Sequence, residues 1–291
     1  MPNMPSQLFQ TTDAGGPLQD MSVCVQRCAF RVRARDTRRA FWSRVGSGLW
    51  EPQTFEVFQR FLRPGCSYVD LGAWIGPTVL YGALLARSVH ALEPDPVAFA
   101  ELRTNVSLNP ALRHKIHLHP CGIGVHTGPL QLYAGGLYYS QQSQFGDSMS
   151  GTLPAPDSSD QPYREVQGMD LERFMELHAI NDCNFIKMDI EGGEYAVIPG
   201  LWRRLHRFGQ PTLYVSFHAP ELARREALIR SCVDELLSCY QRFYHAKDAQ
   251  EITLEQRVKA VQDWGDEEHG SPWRALEFLL GSGLVATGEE W

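Results

Sequence analysis

The chain has no Gly-x-Gly-x-x-Gly turn, no Cys-x-x-Cys pair, no surplus of positive charge and no long apolar run. Each absence removes a class of function. Without three glycines at that spacing, a dinucleotide pyrophosphate lacks its seat on a helix N-terminus, which disfavours a nicotinamide dehydrogenase. The 7 cysteines are odd in number and scattered, so neither a zinc ribbon nor a disulfide framework is supported. Reduced thiols in a cytoplasmic enzyme are expected instead. A net charge of −7 disfavours a nucleic-acid phosphate backbone as the main partner and is compatible with a small-molecule acceptor. No apolar stretch reaches the ~18 residues of a membrane span. The first residues show no basic-then-apolar signal pattern, and the expectation is a cytoplasmic protein with no membrane span. No internal repeat is visible, and 291 residues are enough for one large α/β domain with additions.

What is present is organised around Tyr68-Val69-Asp70-Leu71-Gly72-Ala73-Trp74-Ile75-Gly76-Pro77-Thr78. Tyr68, Val69 and Leu71 supply the apolar run of a central strand. Gly72 and Gly76 allow close ligand approach or positive φ, and Pro77 suits the first turn of a helix over Thr78–Arg87. A second strand, Val89–Glu93, follows and ends in an acid. Such a strand–turn–helix–strand–acid unit is a nucleotide-binding half of a doubly wound sheet, its terminal acid placed to accept ribose hydroxyls. Glu93 follows Asp70 by 23 residues, near the ~20 expected. One early glycine preceded by an acid suits a ligand without phosphates. S-adenosylmethionine is such a ligand, and its positive sulfonium and ammonium agree with acids near the turn.

The remaining pattern completes an α/β fold. Residues 1–20 are expected to form a mobile arm. Residues 21–64 form a small N-terminal strand and helix addition, and residues 65–291 form the catalytic domain. Val23–Arg35 alternates as a half-buried strand or hairpin. Its Arg31, Arg33 and Arg35 are either a solvated face or contacts to an anionic acceptor or a partner subunit, so a homo-oligomer through this addition is open. Helices are expected over Thr37–Val45, Pro52–Leu62, Pro96–Asn109, Leu171–His178 (capped by Asp170), Tyr195–Leu205, Glu221–Leu237 and Leu254–Trp264. Strands are expected over Ile116–Leu118 (followed by a turn over Pro120–Gly124), Gly128–Ala134, Phe185–Ile190 and Leu213–Phe217, with Arg242–His245 and Ala275–Leu280 as a final antiparallel pair. The stretch from Gly135 to Tyr163 has little periodicity, and a loop of that length is functional or disordered. Tyr138, Tyr139, Ser148 and Ser150 are candidates to line a substrate entrance.

Four stretches, Val69–Gly76, Ala91–Asp95, Asn105–Asn109 and Ile186–Glu194, together resemble the FkbM family of S-adenosylmethionine-dependent methyltransferases over residues 50 to 220. The similarity is most specific in Asp189-x-Glu191-Gly192-x-Glu194. Trp74 departs from the family, which usually carries Asn there, and its bulk raises the alternative of a non-catalytic module that keeps the fold as a scaffold. The resemblance implies a Rossmann-like, class I methyltransferase sheet, mostly parallel with an antiparallel last strand. It also implies transfer of a methyl group to a small-molecule hydroxyl, of a sugar or natural-product intermediate. On this reading Asp70, Gly72, Ala73, Gly76, Glu93, Cys121 and Gly122 hold the cofactor, with Cys121 beside the adenine. Glu51 is either near the cofactor mouth or a helix cap.

The acceptor end is expected at the tips of two strands, where ligands of a doubly wound sheet sit. His218 is expected as the base, with Asp189 orienting it or binding the acceptor. Lys187, two residues before Asp189, shares its strand face and either pairs with it or binds the acceptor. Asp189, Glu191 and His218 can alternatively hold a divalent metal such as Mg²⁺ or Mn²⁺. Glu194 reads as an acid at a helix N-terminus.

Overall fold

The computed structural model describes residues 17–155, 158–200, 202–218, 226–253, 256 and 283–291. The chain opens with a hairpin, β1 (Gln19–Val25) and β2 (Cys28–Ala34), paired in register Val25↔Cys28. Gln26 and Arg27 both take positive φ, 46° and 70°, as a two-residue hairpin turn of matching twist requires. Alternation buries Val23, Val25, Phe30, Val32 and Ala34 and leaves Arg31 and Arg33 to pair with Asp20 at 3.2 and 2.7 Å. Helices α1 (Asp36–Gly46) and α2 (Pro52–Phe61) follow.

The central sheet is doubly wound. Strands β3 (Ser67–Leu71), β4 (Ser88–Leu92) and β5 (Ile116–His119) alternate with helices α3 (Pro77–Leu85), α4 (Pro96–Ser107) and the short α5 (Pro110–Arg113). After an excursion come α6 (Leu171–Leu177), β9 (Cys183–Met188), α7 (Glu194–Val197), β10 (Thr212–Val215), α8 (Glu226–Cys239), β11 (Arg242–His245) and β12 (Leu284–Thr287). The excursion is a small sheet of β6 (Gly122–Ile123), β7 (Gly128–Tyr133) and β8 (Tyr163–Met169), of which β8 is not signalled by the sequence pattern. The main sheet has the order β11-β12-β10-β9-β3-β4-β5. Its neighbours are parallel except β12, which is antiparallel to both β10 and β11. The strand order reverses at β3, so β3 and β9 flank the crevice where a ligand of this fold sits.

Side-chain alternation splits the core into two layers. Val69, Leu71, Ile186 and Met188 pack with Leu171, Phe174, Tyr195 and Leu236 on one face. Tyr68, Val89, Phe185 and Tyr214 pack with Trp42, Phe55, Phe58 and Leu102 on the other, where the hairpin joins them. Two asparagines stitch the hairpin to α4. Asn105 accepts the Arg33 N–H and Asn109 accepts the Arg31 N–H, each at 2.8 Å, and Asn109 donates back to the Arg31 carbonyl at 2.7 Å. The quoted Asn105–Asn109 pattern therefore holds structure together here.

Two expectations are corrected. The helix after β9 is not continuous over Tyr195–Leu205. It is the single turn α7 followed by a 3₁₀ stretch, Trp202–His206, because Pro199 has no N–H to continue the ladder and Gly200 takes φ 73°. The turn expected at Pro120–Gly124 instead contains β6, which pairs with β8. The antiparallel strand of the sheet is β12, whereas the expected strand Ala275–Leu280, all of the expected helix Leu254–Trp264 but residue 256, and most of the arm lie outside the described residues. No helix among the described residues is long and apolar enough to cross a membrane.

Candidate active site

A cleft opens at the C-terminal ends of β3, β4 and β9. Gly72, Trp74, Glu93, Pro94, Cys121 and Gly122 line one side, and Asp189, Ile190 and Glu191 line the other. The turn after β3 is locked by backbone bonds, with the Gly72 and Ala73 N–H groups both donating to the Leu92 carbonyl at 3.1 and 3.0 Å. Gly72 takes φ +81°, and a Cβ there would lie 1.9 Å from the Asp189 carbonyl oxygen. The glycine is thus required by the neighbouring chain, with the ligand a secondary beneficiary. Trp74 also has positive φ, 47°. Its N–H donates to Glu93 Oε2 at 2.7 Å, and its ring packs edge-on against Phe41 at 4.7 Å beneath the Arg38 guanidinium.

Glu93 stands at the tip of β4, where its oxygens accept the Trp74 and Asp95 N–H groups at 2.7 Å each. Burial pushes its carboxyl up to about 8, against those two bonds. Asp70 is placed differently from the expectation. It lies within β3, in register opposite Lys187 on β9, fully buried. Its Oδ2 accepts the Thr78 hydroxyl at 2.7 Å, and Oδ1 lies 3.7 Å from Lys187 Nζ. Burial raises its pKa despite Lys187 and Thr78. Asp70 and Ala73 therefore support the cleft from behind, as does Gly76, whose Cβ would meet Leu102 at 2.7 Å. Glu51 is the N-cap residue of α2, at φ 39°, and its carbonyl accepts the Thr54 N–H at 3.0 Å. Its side chain caps no helix N–H, and its carboxylate accepts the Thr54 hydroxyl at 3.0 Å. Burial raises its pKa, as does Asp189, while Lys187 and His218 oppose.

The second wall is a charged cluster. Lys187 Nζ donates to Asp189 Oδ2 at 3.0 Å. Burial pulls the ammonium down, but Asp189, Asp70 and Glu51 outweigh it and keep Lys187 charged. Asp189 is lowered overall, Lys187 and His218 winning over burial. The Asp189–Glu194 turn explains its own sequence: Glu191 has φ 54° and Gly192 φ 97°, and buried Glu194 accepts the Ile190 and Gly192 N–H groups at 2.9 Å each. Glu194 is thus a turn staple, a more specific role than an acid facing a helix dipole. His218, just beyond β10, brings Nε2 to 3.4 Å from Asp189 and 3.7 Å from Glu191, and Nδ1 to 3.4 Å from Glu194. Burial lowers its pKa, but the three carboxylates more than reverse this and raise it to about 10. In that charged form the imidazole has no lone pair to accept a proton, which counts against the expected role of His218 as the base. Burial raises Glu191 to about 8, and Cys121, pushed by burial to about 11, is an unreactive wall residue.

Residues 146–152 close over the cleft, a feature the sequence indicated only as a long loop. Asp95 Oδ2 accepts the Gly146 N–H at 2.5 Å and the Ser150 hydroxyl at 3.1 Å, and the Gly146 carbonyl accepts from Trp74 Nε1 at 2.9 Å and Arg38 at 2.5 Å. Asp147, Ser148, Ser150, Gly151 and Thr152 line the space, whose free volume of ≈ 50 Å³ suits a few waters at about 10–15 Å³ of such volume each. This segment has to lift for a nucleoside to enter.

The family profile described as Methyltransferase FkbM domain matches residues 70–243. No curated protein matches the chain. Among solved structures, the chain is similar to the methyltransferase FkbM of Methylobacillus flagellatus (20% identity, 63% of this chain and 44% of that one, TM-score 0.35). It is also similar to Aeropyrum pernix fibrillarin with natively bound S-adenosyl-L-methionine (12%, 80% of each chain, TM-score 0.36). A third is M. jannaschii TYW2 in complex with AdoMet (15%, 78% of each, TM-score 0.34). The chain spans less than half the length of the Methylobacillus protein. The profile match, which covers more than half of the sequence and runs from within β3 to the start of β11, is what assigns this chain: it belongs to the FkbM methyltransferase family.

Proposed function

We propose that the chain is an S-adenosylmethionine-dependent O-methyltransferase acting on a hydroxyl of a small molecule, a sugar or natural-product intermediate. One observation carries the reading: the buried carboxyl of Glu93 and the ionised carboxylate of Asp189 line opposite flanks of the crevice at the topological switch point. The residues fit the donor. Each Glu93 oxygen accepts one backbone N–H and retains lone-pair capacity for a ribose hydroxyl. Cys121, Gly122, Ile123 and Leu132 offer an apolar wall for adenine. The acids opposite suit a sulfonium and an ammonium.

When bound, S-adenosylmethionine supplies an electrophilic methyl carbon, to which the acceptor oxygen bonds as the C–S bond breaks and its electron pair stays on sulfur. Asp189, ionised and partly exposed, takes the hydroxyl proton. Lys187 holds its other oxygen at 3.0 Å and so fixes the carboxylate's direction, which is where much of the rate of a displacement originates. The small-molecule class of the acceptor rests on the family resemblance and the net charge.

Calorimetric titration with S-adenosylhomocysteine tests the reading. The wild type binds, and Glu93→Ala weakens binding by about 1.5–3 kcal/mol for each charged hydrogen bond lost. A wild-type chain that does not bind defeats it. The narrowness of the closed cleft favours a second reading, a scaffold that does not catalyse. A chain that binds S-adenosylhomocysteine yet never consumes S-adenosylmethionine with any hydroxylated acceptor supports that alternative.

A further inference from the structure

We propose that Asp189, Glu191 and His218 hold a hard divalent cation, of the Mg²⁺ or Mn²⁺ class, which binds the acceptor hydroxyl. The proposal deepens the methyltransferase reading and rests on it for the acceptor. Three independent features point to it.

The first is donor geometry. One ligand atom from each of the three residues lies within 4.8 Å of the others, and His218 Nε2 is 3.4 Å from Asp189 Oδ1 and 3.7 Å from Glu191 Oε1. Adjacent ligands about 2.1 Å from an octahedral cation are ~3 Å apart. The two contacts of His218 therefore need to close by roughly 0.4 and 0.7 Å to reach that spacing.

The second is orientation. A metal-binding histidine turns one ring nitrogen to the ion and gives the other to an anchored carboxylate. His218 presents Nδ1 to Glu194 at 3.4 Å, and Glu194 is fixed by two backbone N–H groups and is fully buried. Nε2 is thereby aimed at Asp189 and Glu191. The sequence reading assigned Glu194 no part in this.

The third is an unmet demand for positive charge. Glu191 is 9% exposed, and its Oε2 has no hydrogen-bond partner among the described residues. Asp189 and Glu194 lie in the same turn and share the one imidazole of His218 with it, Asp189 at 3.4 Å, Glu194 at 3.4 Å and Glu191 at 3.7 Å. A buried acid without a partner is costly. A divalent ion bound through Asp189 Oδ1, a Glu191 oxygen and His218 Nε2 answers that demand and takes the place of the Nε2 proton, which is released. Lys187 stays on Asp189 Oδ2. Three protein ligands leave positions of a six-coordinate ion for water and for the acceptor oxygen. There the ion lowers the hydroxyl's pKa so that the proton leaves to solvent, in place of direct transfer to Asp189, whose two oxygens are then engaged by the ion and Lys187.

Electron paramagnetic resonance of Mn²⁺ with the full chain, alongside calorimetry with S-adenosylhomocysteine, tests this. The expected result is one Mn²⁺ per chain, its free six-line signal lost, with Mg²⁺ competing. Glu191→Gln and His218→Ala should each weaken Mn²⁺ binding at least tenfold while thermal melts report a folded chain. Glu194→Gln should weaken it less. Glu93→Ala should lose S-adenosylhomocysteine affinity and keep Mn²⁺. A wild-type chain that binds S-adenosylhomocysteine but leaves Mn²⁺ free overturns the cation site and leaves the methyltransferase reading standing. Unchanged Mn²⁺ binding in both Glu191→Gln and His218→Ala overturns it as well.

Discussion

Replacing Glu93 by glutamine should abolish a proton release that accompanies donor binding. In the wild type the Glu93 carboxyl titrates near about 8 because it is buried. At pH 7 it is therefore roughly 90% protonated. A ribose hydroxyl that donates to it favours the ionised form and returns its pKa toward the ordinary carboxylate range. Binding then expels roughly 0.9 of a proton at pH 7, and affinity falls about tenfold for each pH unit below about 8. Calorimetry of S-adenosylhomocysteine at pH 7 in two buffers of different ionisation heat measures the release directly. The amide of Glu93→Gln does not ionise, so the variant's release reports only the ligand's own amino group, and the difference between the two proteins isolates Glu93. The variant also loses an acceptor for the Trp74 or the Asp95 N–H, at about 1–3 kcal/mol, which a thermal melt checks separately. Equal proton release by wild type and variant, with both binding, refutes the role given to Glu93.

Three further outcomes follow from the fold. Gly72→Ala places a methyl group 1.9 Å from the Asp189 carbonyl at φ +81° and should cost at least about 3 kcal/mol in denaturant unfolding. Asn105→Ala strands the Arg33 N–H and the Ile75 carbonyl; a loss of about 2 kcal/mol should appear with faster amide exchange at Arg33. His90 is 7% exposed, stacks on His117 at 4.7 Å and His119 at 5.5 Å, and tilts against His178 at 6.2 Å. Burial first, then those neighbours, lower its pKa to about 3 from 6.5. The folded chain resists a proton that the unfolded chain takes. Its contribution is therefore full above pH 6.5 and is lost as pH falls toward 3, reaching about 2 kcal/mol at pH 5. Urea unfolding of His90→Phe should be flatter by that amount between pH 6.5 and 5.

The half of the sheet from β3 to Glu93 was legible because its signals are local: an apolar run, a glycine turn, a proline-opened helix and an acid at fixed spacing. The hairpin of β1 and β2 was legible for the same reason, as was the Asp170 cap, whose side chain accepts the Arg173 N–H at 3.0 Å. Register was not legible. That Asp70 faces Lys187 depends on how β3 and β9 align, and one strand alone does not reveal it. The β6–β8–β7 sheet pairs residues 30 to 46 positions apart, from Tyr133↔Tyr163 to Gly122↔Gly168, with β8 mostly half-exposed or exposed and so without a strong apolar pattern. The protonation of His218 required three acids from one turn to converge on it, and only the folded geometry brings them there.

The central claim is that a methyl donor lies across the crevice between Glu93 and Asp189. A crystal structure with S-adenosylhomocysteine tests it most directly. The account predicts ribose hydroxyls within hydrogen-bond distance of Glu93, residues 146–152 lifted from the cleft, and sulfur turned toward the Asp189 carboxylate. A ligand bound elsewhere, or a sulfur facing away from Asp189 with Glu93 still capped only by Trp74 and Asp95, would contradict it.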